Sequence, residues 1–245
     1  MTKTEKGIYP NAKKVAKEQL FDRIAKHPLI VGCAELDMGS IELLFGGYWN
    51  FVLLFPDAIQ SIYDNVGLQV QALTEKNPRQ ASRYGRLLSG SKLLSSMKGD
   101  EINHRLLWEA SAGVVGINED ELDSFPVLPT ATNLISDIKN AQTPASSLIG
   151  CAAVEIVATG ISRPLLNSSE FCKLMGKKGM AWFHEHKTAT LHNGTTHEDV
   201  ALSFAGQTHR IMTGNVLVED EVLTSLMRYG NNFIAHADAL RALRH

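Results

Sequence analysis

Residues 148–161 are apolar on nearly every face of a helix, and Glu155 is the single charge among them. A helix that is hydrophobic all round has to be enclosed by other elements rather than laid on a surface. The rest of the chain supplies the enclosure. Apolar residues recur at helical steps almost everywhere, and no segment alternates convincingly as a strand does. The expectation is an all-α fold of about eight to ten helices. No internal repeat, low-complexity tract or shift in composition marks a linker, so residues 1–245 read as a single helical domain with a core over 12–241.

Local signals divide the chain further. An amphipathic segment over 12–26 ends at His27-Pro28. A helix beginning at Gly39 or Ser40 carries Leu43, Leu44, Tyr48, Phe51 and Val52, and Pro56-Asp57 punctuates it before a segment over 58–76. Asn77-Pro78 opens a segment to 98–99, and a helix over 100–115 stops at Gly116. A connection over 117–129 allows a short turn at 118–122, followed by helices over 130–141 and 144–159. Ser168 or Ser169 caps a long helix to His192, which Asn193-Gly194 stops. Thr195 and Glu198 form a capping-box pattern for a helix to Met212. In the last helix Val222, Leu226, Tyr229, Phe233 and Leu240 hold the period, behind an acidic start at Glu219-Asp220-Glu221 that suits the helix dipole.

Composition excludes several classes of function. With 24 Lys+Arg against 26 Asp+Glu and a net charge of −2, there is neither the basic stripe of a nucleic-acid binder nor an acidic disordered tail. Three widely spaced cysteines, Cys33, Cys151 and Cys172, suit a reducing cytoplasm rather than a disulfide scaffold. The apolar stretches 48–55 and 148–161 fall short of the roughly 20 residues of a membrane span. Glycine-rich phosphate loops in a strand–loop–helix setting are missing. The expectation is a soluble protein that meets a small molecule, with no nucleic acid and no membrane.

Chemistry concentrates in three places. Glu155 is costly in an apolar helix unless paired, protonated or metal-bound, and carboxylates so placed cluster at functional sites. Glu101 and His104, three apart, share a helix face. Leu107 and Trp108 put His104 on the apolar side, whereas Asp100 and Glu101 also suit a solvated first turn. The run from Trp182 to Asn193 holds His184, Glu185, His186 and His192; His186 shares its face with Thr190 and Asn193. His197 and His209 read most simply as surface residues.

The stretches His27-Pro28, Phe55-Pro56, Asn103-His-Arg-Leu-Leu-Trp108 before Gly116-Ile, Glu155, and Trp182-Phe183-x-x-His186 resemble one branch of the haem-oxygenase-like fold. That branch contains the chlamydial death-domain-associating protein (CADD), with the TenA and PqqC families as relatives. The resemblance spans most of the chain and implies a bacterial, cytoplasmic, homodimeric helical bundle. Its metal-using members hold two irons with a Glu seven residues before a His, a Glu on a central helix, and a His-x-x-x-Asp-x-x-His run. His104, Glu155 and His186 match these positions; Met97, Thr190 and Asn193 replace the other three. Glu101, Glu185 and His192 are weaker substitutes.

Three readings follow from the resemblance. In the first, His104, Glu155 and His186 form a two-His-one-carboxylate set for one Fe(II). Glu155 then carries the chemistry of an oxidoreductase acting on a small organic substrate, with Tyr48 and Trp49 as candidate pocket walls. The second is a metal-free TenA- or PqqC-like enzyme with Cys151, one turn before Glu155, in the pocket. The third is a degenerate member that binds a ligand or partner without turnover.

Overall fold

In the computed structural model, residues 8–188 and 196–244 are described; side chains are described for these except residues 86, 88–94 and 188. Among the described residues there are eleven α-helices, one 3-10 turn and no β-sheet. The helices are α1 (Pro10–Ala25), α2 (Pro28–Ala34), α3 (Met38–Lys76), α4 (Ala81–Val114), α5 (Glu119–Ser124) and α6 (Pro129–Lys139). They continue with α7 (Pro144–Asn167), α8 (Ser169–Gly179), α9 (Ala181–Thr188), α10 (His197–Thr213) and α11 (Glu219–Ala242).

The all-round apolar helix is the axis of the molecule. Helix α7 packs against α1, α2, α3, α6, α8, α9, α10 and α11. The run from Leu148 to Ala158 is buried without a gap. Thr143 caps its start by accepting from Ser146 N, and Pro144 sits in the first turn, where its missing N–H is harmless. Ser168 ends it and begins α8: its hydroxyl donates to Ala34 O at 2.8 Å and accepts from Phe171 N.

Helices α3 and α7 are both long and apolar enough to cross a membrane by length and composition, against the expectation that their apolar stretches are too short. Of their most apolar windows, 61% and 89% are buried against other helices, as core helices are.

Two expected breaks do not occur. Pro56 lies inside the 39-residue α3, not at its end. An interior proline costs about 3 kcal/mol of helix stability. Here both halves are held by burial, through Phe51 and Phe55 before the proline and Ala58, Ile59 and Ile62 after it. Helix α4 likewise runs 34 residues straight through Gly99, because packing along α3 overrides the weak helix propensity of one glycine.

One unexpected break does occur. The helix foreseen from 168 toward 192 is kinked inside α8 at Gly176, whose φ of 56° favours glycine, and is interrupted at Met180 before α9 begins. The short α2, capped by His27 Nδ1 accepting from Leu29 N, follows a site read only as a breaker. The cap of α10 is Thr196 with Asp199, one residue beyond the expected pair; Thr195 lies outside the described residues. Val222, Leu226, Tyr229, Phe233 and Leu240 of α11 are buried as their spacing foretells.

Candidate active site

Four helices bring five ionisable side chains together in the interior. Because α4 is continuous, Glu101 lies in mid-helix rather than in an exposed first turn. It is 9% exposed, on the same face as His104 and Trp108. Helix α7 contributes Glu155, α9 contributes His186, and α10 contributes His197 from its first turn, all buried. The surface reading of His197 is thus overturned. The reason is tertiary: α10 packs its N-terminal turn between α4 and α7.

The geometry forms a chain of contacts. Glu101 Oε2 lies 3.3 Å from His104 Nδ1. The His104 ring stands 4.4 Å from that of His186 and 6.4 Å from that of His197. His197 bridges two helices, with Nδ1 3.6 Å from Glu155 Oε1 and Nε2 3.4 Å from Asp100 Oδ2. The Glu101 contact is out of hydrogen-bond alignment and the Glu155 contact is too long for a hydrogen bond, so Nδ1 of His104 and of His197 are buried without a hydrogen-bond partner. His186 differs: its Nδ1–H donates to Trp182 O at 2.9 Å, and Trp182 packs on its ring at 3.9 Å. That bond fixes the tautomer and leaves Nε2 with a lone pair.

These contacts set the charges. Burial lifts the Glu101 carboxyl, but the adjoining His104, with His186 and His197 beyond it, brings its pKa below the usual value. For His104, burial works toward the neutral ring and the Glu101 contact overcomes it, so its pKa rises. Burial, with His104 adding to it, drops His186 to about 3, so it is a neutral imidazole. The Glu155 contact raises His197 to about 9. Glu155 is itself pushed up, by burial first and then by Glu101. Protonated His197, lying between Glu155 and Asp100, favours the Glu155 carboxylate against burial and the Glu101 charge.

The cluster forms the polar end of a cavity of about 500 Å³, its open mouth included. Glu101, His104 and His186 reach it. The remaining wall is apolar: Tyr48, Phe51, Val52 and Phe55 from α3, Trp108 from α4, Trp182 from α9, Phe233 from α11, and Val154, Val157, Ala158 and Ile161 from α7.

Of the expected wall residues, only Tyr48 lines this space. Trp49 instead donates its indole N–H to Asp123 at 2.6 Å and carries the Arg105 guanidinium over its ring. Cys151 is wholly enclosed outside the cavity wall, and burial followed by the Glu155 charge pushes its thiol far above the ordinary range. That is the opposite of an activated nucleophile. Met97 is buried as a core residue. Glu185 is exposed, away from the cluster. Thr190, His192 and Asn193 lie outside the described residues.

By donor type the cluster suits iron: three imidazoles and two carboxylates, two of the imidazoles with an orphaned buried nitrogen. Among the described residues no three His, Cys, Asp or Glu side chains already stand close enough together to hold an ion. Holding one requires the side chains to turn inward from the ion pairs described above.

No protein-family model and no curated protein matches this chain. Among solved structures it is similar to a TenA homologue from Pseudomonas syringae pv. tomato, with a TM-score of 0.70 and 12% identity over 96% of this chain and 93% of that one. The fold is therefore the TenA-like, haem-oxygenase-like all-α bundle.

Proposed function

We propose that this chain is a CADD-like, metal-dependent oxidase of a small, largely apolar molecule. His104, Glu155 and His186 would hold Fe(II), and Glu101 and His197 stand in for the donors missing at Met97 and in the run after His186. The reading is carried by one observation: two carboxylates and three imidazoles from four helices are buried together, and three of them, Glu101, His104 and His186, line an otherwise apolar cavity. So many ionisable groups are expensive to bury for packing alone. The His186 arrangement, one nitrogen donating to a carbonyl and the other free, is how imidazole ligands are oriented.

When bound, Fe(II) supplies redox chemistry with oxygen. The chain's own residues do the rest. Trp108 and Trp182 exclude water, the aromatic wall orients the apolar body of the substrate, and the Glu101–His104 pair holds a proton at the cavity surface. The test is anaerobic Fe(II) titration followed by metal analysis and by electron paramagnetic resonance of the nitric oxide adduct. Stoichiometric iron is expected, with affinity lowered about tenfold or more in His186→Ala and Glu155→Ala. Substoichiometric iron after anaerobic loading defeats the reading.

One observation favours a second reading. The 3.3 Å Glu101–His104 contact presents to the cavity an imidazole whose protonated form the carboxylate favours without any metal, as a metal-free acid–base enzyme requires. In that case turnover survives chelation and is lost in His104→Gln.

A further inference from the structure

A second cavity adjoins the first. It measures about 270 Å³ with its opening included, and Ile24, Ile30 and Ala237 form its far side. Tyr48, Val157, Ile161 and Phe233 line both spaces, so these four side chains are the partition between them.

The second cavity offers no free polar group. His27 and Tyr48 are its polar wall residues, and both ring nitrogens of His27 are engaged. Nδ1 accepts from Leu29 N, and Nε2 lies 3.0 Å from Asp238 Oδ1. The Tyr48 hydroxyl is engaged as well, donating to Phe233 O at 3.2 Å. Nothing there could recognise a second polar end of a ligand.

The partition is held rigidly. The rings of Tyr48 and Phe233 lie parallel, 5° apart in plane with centroids at 6.4 Å. Phe51 packs edge-on against Phe233 at 4.9 Å, and His236 packs edge-on against Tyr48 at 5.0 Å. His236 is itself locked, its Nε2–H donating to Gly47 O at 3.0 Å and its Nδ1 accepting from Thr130 Oγ1 at 2.8 Å. A side chain fixed on this many sides acts as a floor rather than a swinging door.

We propose that Tyr48 and Phe233 are specificity-determining residues. They set the length limit for a substrate that carries one polar end and an unbranched alkyl body. The polar end rests at Glu101, His104 and His186, the body runs along the aromatic wall, and the Tyr48–Phe233 pair stops it. Removing that floor opens the second cavity to a longer chain. The inference rests on the cavity being the substrate site, and its test reads binding, independently of iron content and turnover.

The probes are straight-chain 1-alkanols from butanol to dodecanol, titrated by calorimetry into the full chain. Affinity is expected to rise about fourfold per added methylene up to a break length, and then to level off or fall. Tyr48→Ala moves the break to longer chains. Phe233→Leu, which keeps more of the core volume, moves it in the same direction by less. Ala237→Phe added to Tyr48→Ala fills the second cavity and restores the original break. The proposal is overturned by an unchanged break in both floor variants, or by no saturable binding in any of the alkanols. A chain that shows the shifted break yet binds no iron keeps this inference and loses the oxidase reading.

Discussion

Replacing His197 by Ala isolates the energetics of the buried cluster. In the native chain Glu155 is 3% exposed by its side chain, with His197 3.6 Å away as its closest cationic partner. Without that partner a buried carboxylate stays protonated to higher pH than in the unfolded chain, where its ordinary pKa is 4.5. Between pH 4.5 and 6.5 the folded variant then holds a proton that the unfolded chain releases, so its stability falls as pH rises.

Native Glu155 also lies above its ordinary pKa, but protonated His197 beside it works in the opposite direction, so the native protein takes up less of this extra proton than the variant does. The deficit of the variant should therefore grow with pH through this window, by less than the about 1.4 kcal/mol per pH unit that one full proton of linkage gives, above a pH-independent loss from the missing ring. Urea denaturation followed by circular dichroism at three pH values measures it. The double variant His197→Ala/Glu155→Gln controls for other titrating groups and should lose the pH-dependent part. A deficit that does not change with pH, or one that persists in the double variant, would falsify the picture of a partnered buried carboxylate.

Three further outcomes follow from the same contacts. His197, raised to about 9, stabilises the native chain fully below pH 6.5, and that stability should drain away as pH rises through 9; melting temperatures over this range check it, and His197→Ala should remove the alkaline slope. His236→Ala leaves Gly47 O without its buried donor and should cost about 2–4 kcal/mol by urea unfolding. Gly47→Ala puts a methyl 2.3 Å from a Leu240 methyl that is fully enclosed; it should destabilise by about 1–2 kcal/mol despite the better helix propensity of alanine, whereas stabilisation would mean that α3 and α11 pack more loosely than described.

The contrast between Glu101 and Glu155 shows how far local sequence reaches. Glu155 stands out because its own helix is apolar on every side, so its burial is implied by neighbours within two turns. Glu101 has Asp100 before it and Gly99 before that, a pattern that equally well begins a helix in solvent. What decides the matter is that α4 continues through Gly99 along α3, a contact between segments tens of residues apart. His197 is harder still. It opens a normally capped helix, and nothing within a turn of it signals burial.

The periodicity of apolar residues by itself determined the all-α architecture, the central place of α7 and the inward face of α11, because burying a stripe or a whole surface of a helix depends on residues that are neighbours in the chain. Helix continuity through Pro56 and Gly99, the kink at Gly176, and the meeting of Glu101, His104, Glu155, His186 and His197 were decided only in the tertiary structure. Those outcomes turn on what packs against each segment, and the partners come from distant parts of the chain, where local propensities of a few kcal/mol or less give way to burial.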